Sequence, residues 1–252
     1  MNLSVGITTY NEEKNLPRTL SAVKELADEI IIVDSGSTDR TVEIAQSFQA
    51  KVYIEDWKGI GLQKRSVVDK CSGKWILLID ADEEITDPLK YAIQEIITIN
   101  KREKEVYKIR FKTICFGKRI KYGGWSNFYK VRLFLSGTGQ HDDKRAHENF
   151  ITDRPIGFLK KDINHYTYTY MEDCLHKLNV YSSEVAIQYQ QKGKRKSALN
   201  IYLGALFDFV KRYFILLGFL DGFEGYLLAK ISMMSYLAKY AKLRELNRQN
   251  KR

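Results

Sequence analysis

A chain of 252 residues, 44% of them hydrophobic and only three of them proline, suits one large domain or one domain with an appended segment, and excludes a disordered or fibrous protein. The three cysteines, Cys71, Cys115 and Cys174, are odd in number and form no C-x-x-C pair, which argues against a disulfide framework or a zinc site and for a reducing compartment. The net charge of +10 is uneven, because from Lys192 to Arg252 there are 13 Lys and Arg against four Asp and Glu. Such a block points to an anionic partner surface, membrane or nucleic acid, or to a solvated basic tail. The opening Met1-Asn-Leu-Ser-Val-Gly has no basic region leading into an apolar run, so a secretory signal is not expected and a cytoplasmic protein is.

In chain order, Leu3 to Thr8 reads as a strand and Leu16 to Leu26 as a helix. Glu29-Ile-Ile-Ile-Val-Asp34 is the continuous β-branched run of a strand buried on both faces. Ser37 to Glu43 supplies capping residues for a second helix, Lys51 to Glu55 a third strand, and Gly61 to Cys71 a third helix. Ser72-Gly73 stops that helix before a fourth strand, Trp75 to Asp80, and Asp87-Pro88 opens another helix with Asp as N-cap and Pro at the first helical position. Alternating strands and helices predict an α/β fold, with a mostly parallel, Rossmann-like sheet flanked by helices and its ligands beyond the carboxyl ends of the strands. From Val106 to Leu159 the pattern changes to short strand-like pieces with Gly-rich turns, including a strand at Val131–Leu135. A helix from about Tyr170 to Gln190 follows, then a basic joint at Lys192–Lys196 and two helical stretches split near Gly218–Gly222. The expected organisation is a catalytic domain over 1–165, with a nucleotide-binding half at 1–100 and an acceptor half at 101–165, and a basic, amphipathic helical extension over 166–252.

Chemistry is therefore sought at strand ends. Asp80-Ala-Asp-Glu83 ends the fourth strand; residues i and i+2 of an extended chain point to one side, so two carboxylates there can manage a hard cation and a sugar diphosphate. The alternative is an acidic turn capping the next helix. After the first strand, Thr8-Thr-Tyr-Asn-Glu-Glu13 replaces the G-x-G-x-x-G of a dinucleotide fold; its tyrosine can stack on a base, or the segment is an ordinary helix-entry loop. Within Val33-Asp-Ser-Gly-Ser-Thr-Asp39, Asp34 can accept from a base N–H, whereas Asp39 caps the following helix. The cations of Gly61-Leu-Gln-Lys-Arg65 either approach a diphosphate or are simply solvated.

These four segments, in this order and spacing, resemble glycosyltransferase family 2, whose catalytic domain has the GT-A fold. Val131-Arg-Leu-Phe134, Ala146-His-Glu148, Asn164-His-Tyr166 and Leu217-Gly-Phe-Leu-Asp-Gly222 narrow the resemblance to the lipopolysaccharide inner-core β-1,4-glucosyltransferases and their relatives. The resemblance implies an inverting hexosyltransferase that uses a UDP-sugar, UDP-glucose above all, with Mg2+ or Mn2+, and a glycolipid or lipopolysaccharide-core acceptor. It implies donor contacts from Thr9, Tyr10, Glu12, Asp34, Lys64 and Asp80: Tyr10 and Asp34 at the nucleobase, Glu12 at the nucleoside, Lys64 near the diphosphate, Asp80 near the nucleoside or sugar. Asp82 would hold the metal, and His165 either joins it there or merely packs beside Tyr166. The Q-x-x-R-W motif of processive members is absent, which speaks against polymer synthesis.

Inverting transfer needs a carboxylate to deprotonate the acceptor hydroxyl and cations to neutralise the departing diphosphate. Glu148, beyond the Val131–Leu135 strand, is the candidate base, with Asp142 and Asp143 as competitors. Arg132 and Trp125 are candidate acceptor contacts, arginine for phosphate or carboxylate and tryptophan for a sugar face. In the tail, apolar residues from Leu199 to Leu217 recur at helical spacing, and the uninterrupted run Tyr213–Leu220 is too short to span a bilayer. The tail thus reads as a helix lying in an anionic membrane interface, or packed on the catalytic domain, and the protein as peripheral on the inner face of the cell membrane. Two rivals are a sugar nucleotidyltransferase, which would carry a Gly-rich loop after the first strand, and a non-catalytic nucleic-acid-binding protein, for which the stripe in the tail is too apolar; no nucleic-acid partner is expected.

Overall fold

The computed structural model describes residues 2–98, 104–145 and 148–249. Its strands are β1 (Leu3–Thr9), β2 (Glu29–Asp34), β3 (Lys51–Ile54), β4 (Trp75–Asp80), β5 (Glu83–Ile85), β6 (Val106–Cys115), β7 (Lys118–Arg119), β8 (Tyr129–Leu135), β9 (Gln140–His141), β10 (Phe150–Ile151) and β11 (Ile156–Tyr168). The α-helices are α1 (Leu16–Val23), α2 (Thr41–Ser47), α3 (Ile60–Lys70), α4 (Asp87–Thr98), α5 (Met171–Gln191), α6 (Ala198–Val210) and α7 (Gly222–Gln249). The chain forms two compact units, Met1–Phe111 with Phe128–His165, and Lys112–Asn127 with Tyr166–Arg252.

In the first unit the strands follow the order β3-β2-β1-β4-β8-β6-β11-β5. The four at one end are parallel, with Gly6 of β1 registered against Ile31 and Leu78; β4 pairs antiparallel with β8, β8 with β6, and β5 with β11. This is the expected α/β fold of GT-A type, and its parallel half follows from the sequence directly. Every residue of β2 is buried, and β1 and β4 are nearly so, because helices cover both faces of these central strands. One apolar layer contains Val5, Ile7, Leu16, Leu20, Ile32 and Leu77, and the other Ile31, Val33, Val67, Ile76 and Leu78. A Cβ on Gly6 would lie 2.4 Å from the Val67 side chain, so glycine lets α3 settle against β1. Helix α1 stops at Val23, three residues before its expected end, and the chain closes back onto β1 where the Asp28 carboxylate accepts the backbone N–H groups of Asn2 and Leu3.

Short pieces are present after Val106 as expected, in β7, β9 and β10, but β6, β8 and β11 are longer strands. Alternation of apolar residues with Lys, Arg and Thr carries β6 through ten residues, and β11 runs thirteen residues with no proline or internal glycine turn to stop it.

The second unit is mainly helical. Ser197 caps α6 by accepting the N–H of Asn200, and the chain passes through a π-helical turn at Lys211–Ile215 and a 3-10 turn at Gly218–Asp221 before α7. The split expected near Gly218–Gly222 falls at these turns, where a Cβ on Gly225 would meet the Gly218 carbonyl oxygen at 1.9 Å. No described helix is long and apolar enough to cross a membrane.

Candidate functional site

A set of charged groups converges in the first unit, at the carboxyl ends of its parallel strands. Asp34, at the end of β2, is fully buried and accepts from Thr9 Oγ1 (2.7 Å), Ser37 Oγ (2.5 Å) and the backbone N–H groups of Gly36 (3.0 Å) and Ser37 (2.7 Å). Thr38 N–H donates to Asn11 Oδ1, and the N–H of Glu12 to Thr41 Oγ1. Asp39 accepts the N–H of Thr41 at the start of α2, as expected, and also that of Glu13. The loops after β1 and β2 are thus laced into one platform. Tyr10, half exposed, presents its ring on that platform, whereas Thr9 and Asp34 hold it together from beneath. The Glu12 carboxylate accepts from the Asn15 side chain.

Beside the platform lies a buried cluster of charges. Lys64 of α3 is 1% exposed, and its Nζ stands 2.8 Å from Asp80 Oδ1 and 2.8 Å from Glu148 Oε1. Arg132 of β8, equally buried, reaches Asp80 Oδ2 at 2.7 Å and Glu83 Oε1 at 2.5 Å, and its guanidinium lies over the Phe111 ring. Burial opposes ionisation of Asp80, but the Arg132 and Lys64 cations override it and hold the carboxyl well below its usual range. Burial likewise opposes the Lys64 charge, and Asp80 and Glu148 reverse that effect, raising its pKa despite Arg132. Glu148 is held below the usual carboxylate range by Lys64 in the face of its own burial. Glu83 differs: burial, with Asp80 beside it, pushes its carboxyl up to about 7 although Arg132 opposes this.

Glycine in α3 makes the Lys64–Glu148 pair possible. Gly61 donates its N–H to the Lys144 carbonyl, and its Cα faces the Asp142 carbonyl oxygen so closely that a Cβ would lie 1.9 Å from it. Arg65, one turn on, donates to the His141 carbonyl. Asp142 accepts the backbone N–H and the side-chain amide of Asn149, closing the loop that carries Glu148; Asp143 in the same loop is exposed. Ala146 and His147 of the Ala146-His-Glu148 segment lie outside the described residues.

The acidic turn departs from the extended geometry expected of it. The chain turns at Ala81–Asp82, pinned where Thr19 Oγ1 donates to the Ala81 carbonyl, so Asp80 and Asp82 meet different partners. Asp80 joins Lys64 and Arg132, while Asp82 Oδ1 lies 3.5 Å from Nε2 of His165, which sits opposite Glu83 in the β5–β11 ladder. The His165 ring meets Phe111 edge-on at 5.9 Å. One carboxylate and one imidazole this close suit Mn2+ or Mg2+ when diphosphate and water oxygens complete the shell, so the donor set fits such an ion. Among the described residues no group of three or more His, Cys, Asp or Glu side chains that could hold a metal ion converges.

Several expected donor or acceptor contacts have other surroundings: Thr9 and Asp34, expected at the donor, are buried and hydrogen-bonded to each other. Lys64 is enclosed between two carboxylates rather than open to a diphosphate, and Arg132, expected at an acceptor, is committed to Asp80 and Glu83 because its strand β8 lies directly beside β4. Trp125 belongs to the second unit, where its indole packs against Tyr168 and under the Arg212 guanidinium. Sequence reasoning missed Glu83 and His141. The third acid of Asp80-Ala-Asp-Glu83 was in view, but nothing local signals that it is buried with Asp80 against an arginine 49 positions away. His141 is 3% exposed, and burial together with Lys64 and Arg132 pushes its imidazole down to about 3.

A helix-flanked parallel half-sheet whose strand ends carry a loop platform and an acidic turn, completed by antiparallel strands, defines the nucleotide-sugar-dependent class of GT-A proteins. Residues 4–164 match the family model described as glycosyl transferase family 2, and the chain belongs to that family. It is 31% identical to an uncharacterised glycosyltransferase of Rickettsia typhi across 97% of this chain and 87% of the relative. It is 26% identical to the lipopolysaccharide core biosynthesis glycosyltransferase LpsC of Rhizobium meliloti across 95% of this chain and 93% of LpsC. Among solved structures, Staphylococcus aureus TarS 1–349 in complex with UDP superposes with a TM-score of 0.48 at 16% identity, covering 99% of this chain and 92% of that one.

Proposed function

We propose that this glycosyltransferase moves a hexose, glucose from UDP-glucose, with inversion onto a glycolipid acceptor of the lipopolysaccharide core or a related surface glycan. The observation that carries the reading is the buried Lys64 bridging Asp80 and Glu148, which puts a donor-side carboxylate and an ionised candidate base on one ammonium. Kinship with LpsC supports the choice of acceptor class. Tyr10 stacks on the uracil, Glu12 approaches the nucleoside, and Thr9 and Asp34 hold the platform beneath. Asp82 and His165 would hold Mg2+ or Mn2+, which when bound supplies positive charge for the departing diphosphate.

In this scheme Glu148 takes the proton of the acceptor hydroxyl. Lys64 keeps it ionised at neutral pH and, with Arg132, fixes Asp80, so that both carboxylates are oriented before substrate arrives. Trp125 is retained as a candidate acceptor contact. The test is release of UDP from UDP-glucose with a lipid-linked core acceptor. Glu148→Gln should lower kcat by about 10²–10⁴-fold with little change in donor affinity, since a general base typically contributes that much. Near-normal turnover of Glu148→Gln, with loss in Asp143→Asn, would move the base to Asp143. Wild-type protein that binds no UDP-sugar with either metal would remove the donor reading altogether.

A further inference from the structure

The second unit leaves a large apolar face without cover. Helix α6 buries Ile201 and Ala205 against α7, and Gly204 admits the Tyr236 hydroxyl, to which a Cβ there would come within 2.3 Å. The other side of α6, the turns after it and the start of α7 carry Leu203, Phe207, Phe214, Ile215, Leu220 and Phe223, each half or more exposed, with Phe223 at 71%. Soluble proteins rarely expose contiguous apolar patches beyond a few hundred Å2 unless something docks on them.

Charge says what docks. Lys192, Lys194 and Arg195 precede α6 and Lys211 follows it as its basic flanks, while Lys196 is held by the Tyr236 hydroxyl at 2.6 Å and Arg212 by Asp208, the one acid within the helix, at 3.3 Å. A second copy of the chain would bring one cation-rich surface against another, because residues 192–252 carry 13 Lys and Arg against four acids. An anionic lipid surface matches both the apolar face and its basic flanks. Thirteen helical residues extend only about 20 Å, short of the roughly 30 Å of a hydrocarbon core, so the helix lies along the surface and does not cross it.

We propose that α6, the turns following it and the start of α7, residues 199–223, form an interfacial docking face whose leucine and phenylalanine side chains insert into the outer part of an anionic leaflet, with the flanking lysines and Arg195 at its headgroups. The purpose rests on the glycolipid reading of the acceptor, but the docking itself is tested without an acceptor.

The full chain is sedimented with sucrose-loaded vesicles of phosphatidylcholine, alone or with phosphatidylglycerol added, at low and high salt. Wild-type protein should bind both, more strongly with phosphatidylglycerol, and high salt should remove only that increment. The double variant Leu203→Glu/Phe207→Glu, altered only at exposed positions, should bind both kinds of vesicle more than about tenfold less well. Its calorimetric affinity for UDP-glucose should equal that of wild type, which separates loss of docking from loss of the donor site. Wild-type protein that sediments with neither vesicle overturns the proposal, as does a double variant that binds like wild type. A wild-type dimer that the double variant dissociates, with no vesicle binding by either, assigns the face to a second copy and overturns it too.

Discussion

Gly61→Ala tests the link between packing and the site, because one methyl group is predicted to act at Glu148 without touching it. The new Cβ would lie 1.9 Å from the Asp142 carbonyl oxygen and 3.1 Å from that of Lys144, both backbone atoms that cannot rotate away. Restoring an ordinary 3.4 Å contact requires the loop to retreat by about 1.5 Å, and the 3.0 Å hydrogen bond from the residue 61 N–H to Lys144 opposes this. Asp142 is tied to Asn149, so the retreat carries Glu148 with it and breaks the 2.8 Å contact with Lys64. Overpacking of this kind costs about 1–3 kcal/mol, more than the roughly 1 kcal/mol that Ala gains over Gly in a helix. Displacement of a catalytic group by about 1 Å can cost ~10²-fold in rate. The variant should therefore melt lower than wild type and lose about that factor in kcat for UDP release, with its affinity for UDP-glucose little changed. Asp69→Ala, at an exposed position of the same helix, is the control for helix propensity and should be active. A Gly61→Ala protein as stable and as active as wild type would refute the reasoning.

Lys64→Met should shift the acid limb of the kcat profile to higher pH, because the lysine is what lowers the Glu148 pKa, and should destabilise the fold by about 3–5 kcal/mol through the carboxylates it strands; pH–rate profiles and urea melts read both effects, and an unmoved limb would mean another group titrates there. Glu29, buried at the start of β2, would be raised by desolvation, but hydrogen bonds from Ser4 and Ser72 and the Lys51 cation lower it from 4.5 to about 2. A depressed carboxylate stabilises above its unfolded pKa, so up to about 3 kcal/mol is present above pH 4.5 and drains as pH falls toward 2; Glu29→Gln should lose about 2–3 kcal/mol at pH 7 in urea melts and flatten that acid window. His141, lowered from 6.5 to about 3, is protonated in the unfolded chain first, so stability falls as pH drops from 6.5 toward 3. His141→Phe should flatten this segment of the stability curve, and an unchanged slope would show that the imidazole is not held neutral.

What could be read from the sequence was whatever depends on local order along the chain. The apolar run within Glu29–Asp34 announced a doubly covered strand, Asp87-Pro88 a helix start, and the three segments after β1, β2 and β4 their own place at the carboxyl edge of the sheet. What could not be read depends on which distant strand lies next door. Arg132 was read as an acceptor contact because a guanidinium suits phosphate or carboxylate groups, yet antiparallel pairing of β8 with β4 delivers it to Asp80 and Glu83. Lys64 was expected near the diphosphate or simply solvated, and only docking of the Asp142 loop on Gly61 encloses it with Glu148. The geometry of Asp80-Ala-Asp82 was not legible, since a turn held by Thr19 gives each carboxylate a separate partner. The consequence is a division of labour that a motif cannot express: Asp80 is oriented by two buried cations, while Asp82 shares its surroundings with an imidazole. Substitutions at these two positions should therefore differ in kind. Loss of the Asp80 carboxylate leaves Lys64 and Arg132 short of a counter-charge inside the fold, whereas loss of that of Asp82 changes the local charge beside His165 and leaves the buried pairs intact.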